Sequence, residues 1–228
     1  METVEKEDEE NDFYKNAENY WAEIPATVQG MLGGFGHISR VDIQGSKQFL
    51  KHLFQLKKPP GKTYACDCGA GIGRITKYLL SNIFDKVDLV EQNSNFLDQA
   101  KEYLGPTVLS KIGEFNPCGL QNFSPEANRY DIIWCQWVLG HLTEEDLIYF
   151  IQKCSESLRE NGVIIIKENV TSSGAVEDDE KDSSVTRPFS MYMDIFKKAN
   201  VNCFKKIKQT SFPKELYPVY MFALRKIT

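Results

Sequence analysis

Thr63-Tyr64-Ala65-Cys66-Asp67-Cys68-Gly69-Ala70-Gly71-Ile72-Gly73-Arg74 reads as a short strand, a glycine turn and the opening of a helix. Glycines at 69, 71 and 73 let the backbone turn tightly and keep side chains out from between it and a ligand. The helix opening near Ile72 offers unpaired N–H groups. The stretch therefore predicts a nucleotide-shaped ligand. A dinucleotide fingerprint wants glycine or alanine at position 74, where this chain has Arg74. An acid about twenty residues on is common to several nucleotide binders. Glu91 fills that place at the end of the apolar strand Val87-Asp88-Leu89-Val90, where a carboxylate can take both hydroxyls of a ribose. A glycine-rich turn can also be a tight βα connection with no ligand. Three features weigh against that: the strand before the turn, Glu91 at the end of the next strand, and Gly119-Leu120-Gln121-Asn122-Phe123 just ahead of a third.

Composition bounds the rest. A chain of 228 residues that is 42% hydrophobic buries one substantial core, so one domain with decorations is expected. A net charge of −5 argues against a nucleic-acid backbone as partner and favours a basic one. No apolar run approaches the length of a membrane span, and the acidic start Met1 to Glu10 is unlike a signal or transit peptide. An intracellular protein with no membrane partner is expected. The six cysteines at 66, 68, 118, 135, 154 and 203 form no CxxC pair and have no histidine at zinc spacing. They read as buried free thiols, with no metal site.

Working outward, residues 1–11 read as a charged, disordered tail. In 12–60, Phe13, Tyr14, Tyr20, Trp21, Ile24, Val28, Met31 and Leu32 give helical stripes interrupted at Pro25. Gly33-Gly34-Phe35-Gly36 breaks the pattern, a helix resumes at 46–56, and Lys58-Pro59-Pro60-Gly61 stops it. This segment is expected to lie as a helical lid across the domain formed by 61–228. There the pattern is that of an α/β fold. Strands are predicted at 63–67, 87–91, 112–117, 130–135 and 162–167, with helices at 72–81, 94–104 (Ser94 as cap) and 144–159 (Thr143 as cap). The runs 131–135 and 162–167 are continuously apolar, as in strands buried on both faces of a parallel sheet. An acidic loop at 170–184, a helix near 186–200 and two strands, 203–210 and 217–225, complete the reading.

Chemically specific side chains gather at the carboxyl ends of these strands, where open α/β sheets bind ligands. Strand four ends in Trp134-Cys135-Gln136-Trp137-Val138-Leu139-Gly140-His141-Leu142, strand five in Lys167-Glu168-Asn169-Val170, and the acidic loop holds Glu177-Asp178-Asp179-Glu180-Lys181-Asp182-Ser183-Ser184. Singly each has a structural explanation: His141 as a helix cap, Trp137 as core, the acidic run as a solvated loop. Together they offer a base, an aromatic wall and a trap for a cation.

Asp67-Cys68-Gly69-Ala70-Gly71-Ile72-Gly73 resembles the acid-x-Gly-x-Gly-x-Gly signature of S-adenosylmethionine-dependent methyltransferases. Met31-Leu32-Gly33-Gly34-Phe35-Gly36-His37-Ile38-Ser39, Gln136-Trp137-Val138-Leu139-Gly140-His141-Leu142, Ile166-Lys167-Glu168-Asn169 and Asp182-Ser183-Ser184 are more specific. Almost the whole chain resembles the eukaryotic protein N-terminal methyltransferases that recognise Xaa-Pro-Lys termini. The resemblance implies a class I methyltransferase fold, a Rossmann-like seven-stranded α/β sheet closed by a hairpin, under an N-terminal helical lid. It implies S-adenosyl-L-methionine as cofactor and, as substrate, the α-amino group of Xaa-Pro-Lys tails exposed by removal of the initiator Met. It implies cofactor binding by Gly69, Gly71, Arg74, Glu91, Gln92, Leu120, Gln121 and Gln136, with Arg74 on the cofactor carboxylate. The peptide channel it implies consists of Trp21, Leu32, Gly33, Ile38, Trp137, Asn169, Ser184, Leu216 and Tyr217, with Asp178 or Asp179 on the substrate lysine. His141 and Asp182 would be the bases. Family members usually carry aspartate where this chain has Glu91, and the loop before Asp182 is one residue longer. Nuclear residence, with the cytoplasm as a second compartment, is implied by the family alone. A small-molecule N- or O-methyltransferase and a non-catalytic adaptor stand as alternatives; the first gives no reason for the acidic loop, and the second predicts lost site residues.

Overall fold

Alternation of apolar segments with helices becomes a parallel sheet because each strand hides both faces under a helical layer. The computed structural model describes residues 2–227, with side chains described from Asp12 onward. Its strands are β1 (Tyr64–Cys68), β2 (Lys86–Val90), β3 (Ile112–Asn116), β4 (Tyr130–Gln136), β5 (Leu158–Thr171), β6 (Glu177–Asp179), β7 (Ser184–Pro188), β8 (Val201–Lys208) and β9 (Val219–Lys226). Its helices are α1 (Glu2–Glu23), α2 (Val28–Met31), α3 (Ser39–Phe54), α4 (Arg74–Tyr78), α5 (Ser94–Leu104), α6 (Pro106–Leu109), α7 (Glu144–Glu156) and α8 (Phe189–Lys198).

The main sheet runs β3-β2-β1-β4-β5-β9-β8, parallel except for β9, which pairs antiparallel with both β5 and β8. It is the seven-stranded class I methyltransferase arrangement. Alternate residues of the central strands serve opposite layers. Ile133, Cys135, Ile164 and Ile166 pack with α7 and α8 residues such as Phe150 and Phe196. Ile132, Trp134, Val163 and Ile165 pack with Phe49 and Leu53 of α3 and Leu97 of α5. The chain builds β2 and β3 on one side of β1 and then crosses to β4. The switch point between β1 and β4 is therefore where the two chain directions diverge and a crevice opens.

Several boundaries differ from the sequence reading. The acidic segment expected to be a disordered tail lies within α1, which begins at Glu2. Its run of Glu, Lys and Asp contains no glycine or proline, and its acids sit at the end of the helix that favours negative charge. Helix α3 starts at Ser39 and passes through Gly45, where the missing side chain leaves room for Gln209. The cap of α5 is Asn93, whose extended backbone lets Oδ1 accept from the N–H of Asn95, while Ser94 is already helical. The loop expected at 170–184 contains β6, which forms a hairpin with β7; the β-branched Val185 and Thr186 pair with Asp178 and Glu177. The strand expected at 162–167 is longer, beginning at Leu158, with an irregularity at Asn161, which takes φ 62°.

The N-terminal helices cross the carboxyl edge of the sheet. Tyr14 donates its hydroxyl proton to Asp146 and accepts from the N–H of Thr143. Ser183 donates to the Phe13 carbonyl, and Asn93 donates to the carbonyl of Trp21.

At the opposite end of the sheet, buried Asp88 accepts from Tyr64 and Tyr130 hydroxyls, the Glu114 N–H and the Arg129 guanidinium. Asp88→Ala leaves these donors without their acceptor and is expected to lower the unfolding free energy by about 3 kcal/mol, read from urea denaturation.

Candidate active site

The glycine turn after β1 forms its cradle from positive-φ backbone. Gly69, Gly71 and Gly73 have φ of 71°, 54° and 81°. A Cβ on Gly69 would fall 2.5 Å from the Val138 side chain, so the residue is glycine for space as well as for conformation. Asp67 shows why an acid begins the motif. Its Oδ2 accepts from the N–H and hydroxyl of Thr76 at 3.0 and 2.6 Å, tying the first turn of α4 back to β1. Burial pushes the Asp67 carboxyl up to about 6 against those hydrogen bonds.

Glu91, just after β2, is half-buried. Oε2 accepts from the Gly71 N–H at 2.9 Å and Oε1 from the Asn93 N–H at 3.0 Å. Burial raises its carboxyl above the usual range, and the bonds from Asn93 and Gly71 oppose that. The longer side chain is thus folded back and pinned to the glycine turn.

All eight residues implied for the cofactor, Gly69, Gly71, Arg74, Glu91, Gln92, Leu120, Gln121 and Gln136, line one cavity of about 920 Å³. Met31 and Phe96 also line it, which their apolar helical spacing did not distinguish from core. The glycine cradle, the pinned carboxylate and the glutamines fit a nucleoside with a charged tail. Arg74 reaches Asp42 at 2.7 Å and Ser39 at 3.3 Å through Nη1, so it does not wait free for the cofactor carboxylate. Asp42 also accepts from Gln136 at 2.9 Å and pairs with buried Lys167. Burial would raise the Asp42 carboxyl, but Lys167 and Arg74 outweigh it and hold it below its ordinary value. Two basic side chains share this one carboxylate.

A second cavity, of about 1230 Å³, adjoins the first. Trp21, Leu32, Gly33, Ile38, Trp137, Asn169, Ser184, Leu216 and Tyr217 line it together with His141 and Asp182. Asp178 and Asp179 do not: they sit exposed on β6, and the lining carboxylates are Asp182, Glu168 and Glu215. Glu177, beside them, instead accepts from the Tyr217 hydroxyl at the rim. The sequence signal for Glu168 was its place at the end of β5 beside Asn169.

Four side chains line both cavities: Trp21, Met31, Trp137 and His141. Trp137 has φ 53°, a left-handed conformation rare for a bulky residue. The Arg74 guanidinium lies 5.8 Å from its ring and Phe212 packs at 6.4 Å. Its indole N–H is buried without a protein partner among the described residues, a donor for a ligand acceptor. His141 is fixed at both nitrogens. The Trp21 indole can only donate, so Nε2, 3.0 Å away, carries the lone pair. Nδ1 therefore bears the proton and donates to the Ser183 carbonyl at 3.3 Å. Burial, outweighing the Asp182 carboxylate and the Ser183 bond, holds the imidazole below its ordinary pKa and hence neutral near pH 7. Asp182 acts on it through space; its own hydrogen bond is from the Ser184 hydroxyl, 2.6 Å long.

Gly69→Ala is expected to weaken S-adenosylmethionine binding about tenfold or more in calorimetry, since it adds left-handed strain to the clash with Val138. Gly174→Ala, at φ 79° with open space around it, should leave that affinity unchanged. Glu168 generates a pH prediction. Burial pushes its carboxyl up to about 7 against the N–H bonds of Leu139 and Val138 and the charge of Arg187. The folded state therefore holds a proton that the unfolded chain has released, and stability from this group falls as pH rises from about 4.5 to about 7. Relative to Glu168→Gln, the wild type should gain about 2 kcal/mol in urea titrations on going from pH 7.5 to pH 5.

Residues 9–225 match the model of the AdoMet dependent proline di-methyltransferase family. The N-terminal Xaa-Pro-Lys N-methyltransferase 1 of Xenopus tropicalis is 48% identical over 98% of this chain and 100% of its own length. The Homo sapiens protein of that name is 47% identical over 98% of this chain and 100% of its own. A solved SAM-dependent methyltransferase from Leishmania major superposes with a TM-score of 0.88 at 37% identity, covering 93% of this chain and 83% of its own. With the cradle, the pinned acid and these matches in place, the chain belongs to the AdoMet dependent proline di-methyltransferase family and is an S-adenosylmethionine-dependent methyltransferase.

Proposed function

We propose that the enzyme methylates the α-amino group of proteins whose terminus reads Xaa-Pro-Lys, the substrate class named for its relatives. The observation that carries this reading is a neutral, doubly oriented histidine at the junction of two cavities, one lined for a nucleoside and the other by carboxylates and apolar groups.

When bound, the cofactor supplies a methyl group on a positively charged sulfur. The chain's own residues must deliver a nucleophile to it. An α-amino group has a pKa of about 8, so near neutral pH most of it is protonated and must lose that proton before it can attack. His141 offers Nε2 for it. In the structure that lone pair is occupied by a neutral indole N–H, and an ammonium N–H is the stronger donor, so an arriving terminus takes the place of Trp21. The proton passes to Nε2, and the negative charge of Asp182 stabilises the imidazolium that forms. Nδ1 stays bonded to Ser183 throughout, which keeps the ring aimed.

The channel accounts for the rest of the motif. Leu32, Ile38 and Leu216 provide apolar walls for a proline, which brings no N–H to be satisfied. Glu215 and Asp182 supply negative charge for a lysine, in place of the expected Asp178 or Asp179. Asn169 presents an amide to the peptide backbone.

Mass spectrometry of a Ser-Pro-Lys-Arg peptide incubated with enzyme and S-adenosylmethionine tests this. The free peptide should gain one or more methyl groups, and a copy acetylated at its terminus should gain none. His141→Ala and Asp182→Ala should each lower turnover about a hundredfold with cofactor affinity kept. Methylation of the acetylated peptide, or full turnover in both variants, would overturn the reading.

A further inference from the structure

We propose that Glu168 and Arg187 are positioning residues that hold the 137–142 turn, and with it Trp137 and His141, in the geometry the reaction needs. The inference rests on the roles proposed for those two side chains.

The turn cannot hold its own shape. Trp137 sits at φ 53°, and a bulky residue in that region persists only when its surroundings over-determine it. The surroundings do so from both sides. The N–H groups of Val138 and Leu139 both donate to Glu168 Oε1, at 2.8 and 2.9 Å. The N–H of Trp137 donates to the Lys167 carbonyl at 3.1 Å. On the acceptor side, the carbonyl of Leu139 takes Nη1 of Arg187 at 2.8 Å, and the carbonyl of Leu142 takes Nη2. The turn's free donors thus end on one carboxylate and its free acceptors on one guanidinium.

Both groups are buried, with 5% of Glu168 and 2% of Arg187 exposed, and they come from adjoining strands whose pairing sets Val170 of β5 opposite Arg187 of β7. The hairpin that presents Arg187 also presents Ser183, the acceptor of the His141 Nδ1 proton. The turn lies so close to this hairpin that a Cβ at Gly140 would fall 2.9 Å from the Val185 carbonyl oxygen. Burying a carboxyl and a guanidinium behind one turn is a poor way to gain stability, because each loses its hydration. A two-carbonyl fork and a two-amide acceptor are, however, a good way to set an angle.

Steady-state kinetics with Ser-Pro-Lys-Arg and S-adenosylmethionine test the proposal. Glu168→Ala removes the acceptor, and misplacement of the turn should lower kcat about a hundredfold with a much smaller loss of cofactor affinity. Glu168→Gln keeps an oxygen for both N–H groups and should restore most of that loss. Wild-type kcat in Glu168→Ala, or equal loss of kcat and cofactor affinity in both variants, would overturn the proposal. If Glu168→Ala does not fold, Arg187→Lys replaces it: a lysine cannot span the two carbonyls, so kcat should fall, and wild-type kcat would overturn the proposal. His141→Ala measured alongside separates this inference from the one beneath it. Full turnover there removes the base assignment, whereas full turnover in Glu168→Ala with His141→Ala inactive removes the positioning role alone.

Discussion

One buried carboxylate, Asp42, joins the N-terminal helices to the sheet, and the arrangement of the site depends on it. From α3 it engages Arg74 at the head of α4, Gln136 at the end of β4 and Lys167 on β5. Lys167 also donates to the Asp42 carbonyl, to Ser46 and to Gln209, so Gln209, just after β8, is held by the same group. Burying a carboxylate is costly unless partners satisfy it, and here two of the partners, Arg74 and Gln136, line the first cavity. The lid and the switch point are consequently one construction. Arg74 and Gln136 are both held in place by this carboxylate.

The other coupling between lid and sheet is Trp21 against His141. A neutral indole donor on a neutral imidazole acceptor is a modest bond, which suits the role proposed for His141 as acceptor from an ammonium. Burial keeps the imidazole unprotonated, and the Ser183 carbonyl fixes its tautomer. The base is therefore prepared by its surroundings rather than by a hydrogen-bonded carboxylate. Glu168 and Arg187 supply the backbone support for that arrangement.

Much of this was legible because it follows from short-range rules. The glycine turn, the doubly buried strands 131–135 and 162–167, and the Thr143 cap, whose hydroxyl accepts from the Asp146 N–H, all follow from local chemistry. The eight cofactor-facing residues could be named from motif and resemblance and do share a cavity. What was missed depends on pairing at a distance. The hairpin of β6 and β7 exists because its strands find each other and the end of β5, so its acids read as a solvated loop. For the same reason Asp178 and Asp179 face outward, while Glu168, deep in a strand, lines the channel.

The sequence by itself determined the fold class, the cofactor and the set of residues available for chemistry, because the period of apolar residues and the freedom of glycine act within a few residues of themselves. Only the tertiary structure decided what each charged group does. Asp42, Arg74 and Lys167 lie far apart in the chain, as do Trp21 and His141, and Glu168 and the amides it holds. Whether a carboxylate meets solvent, a guanidinium or a backbone N–H sets its charge state and its role, and that choice is made by which strands and helices the buried core brings together.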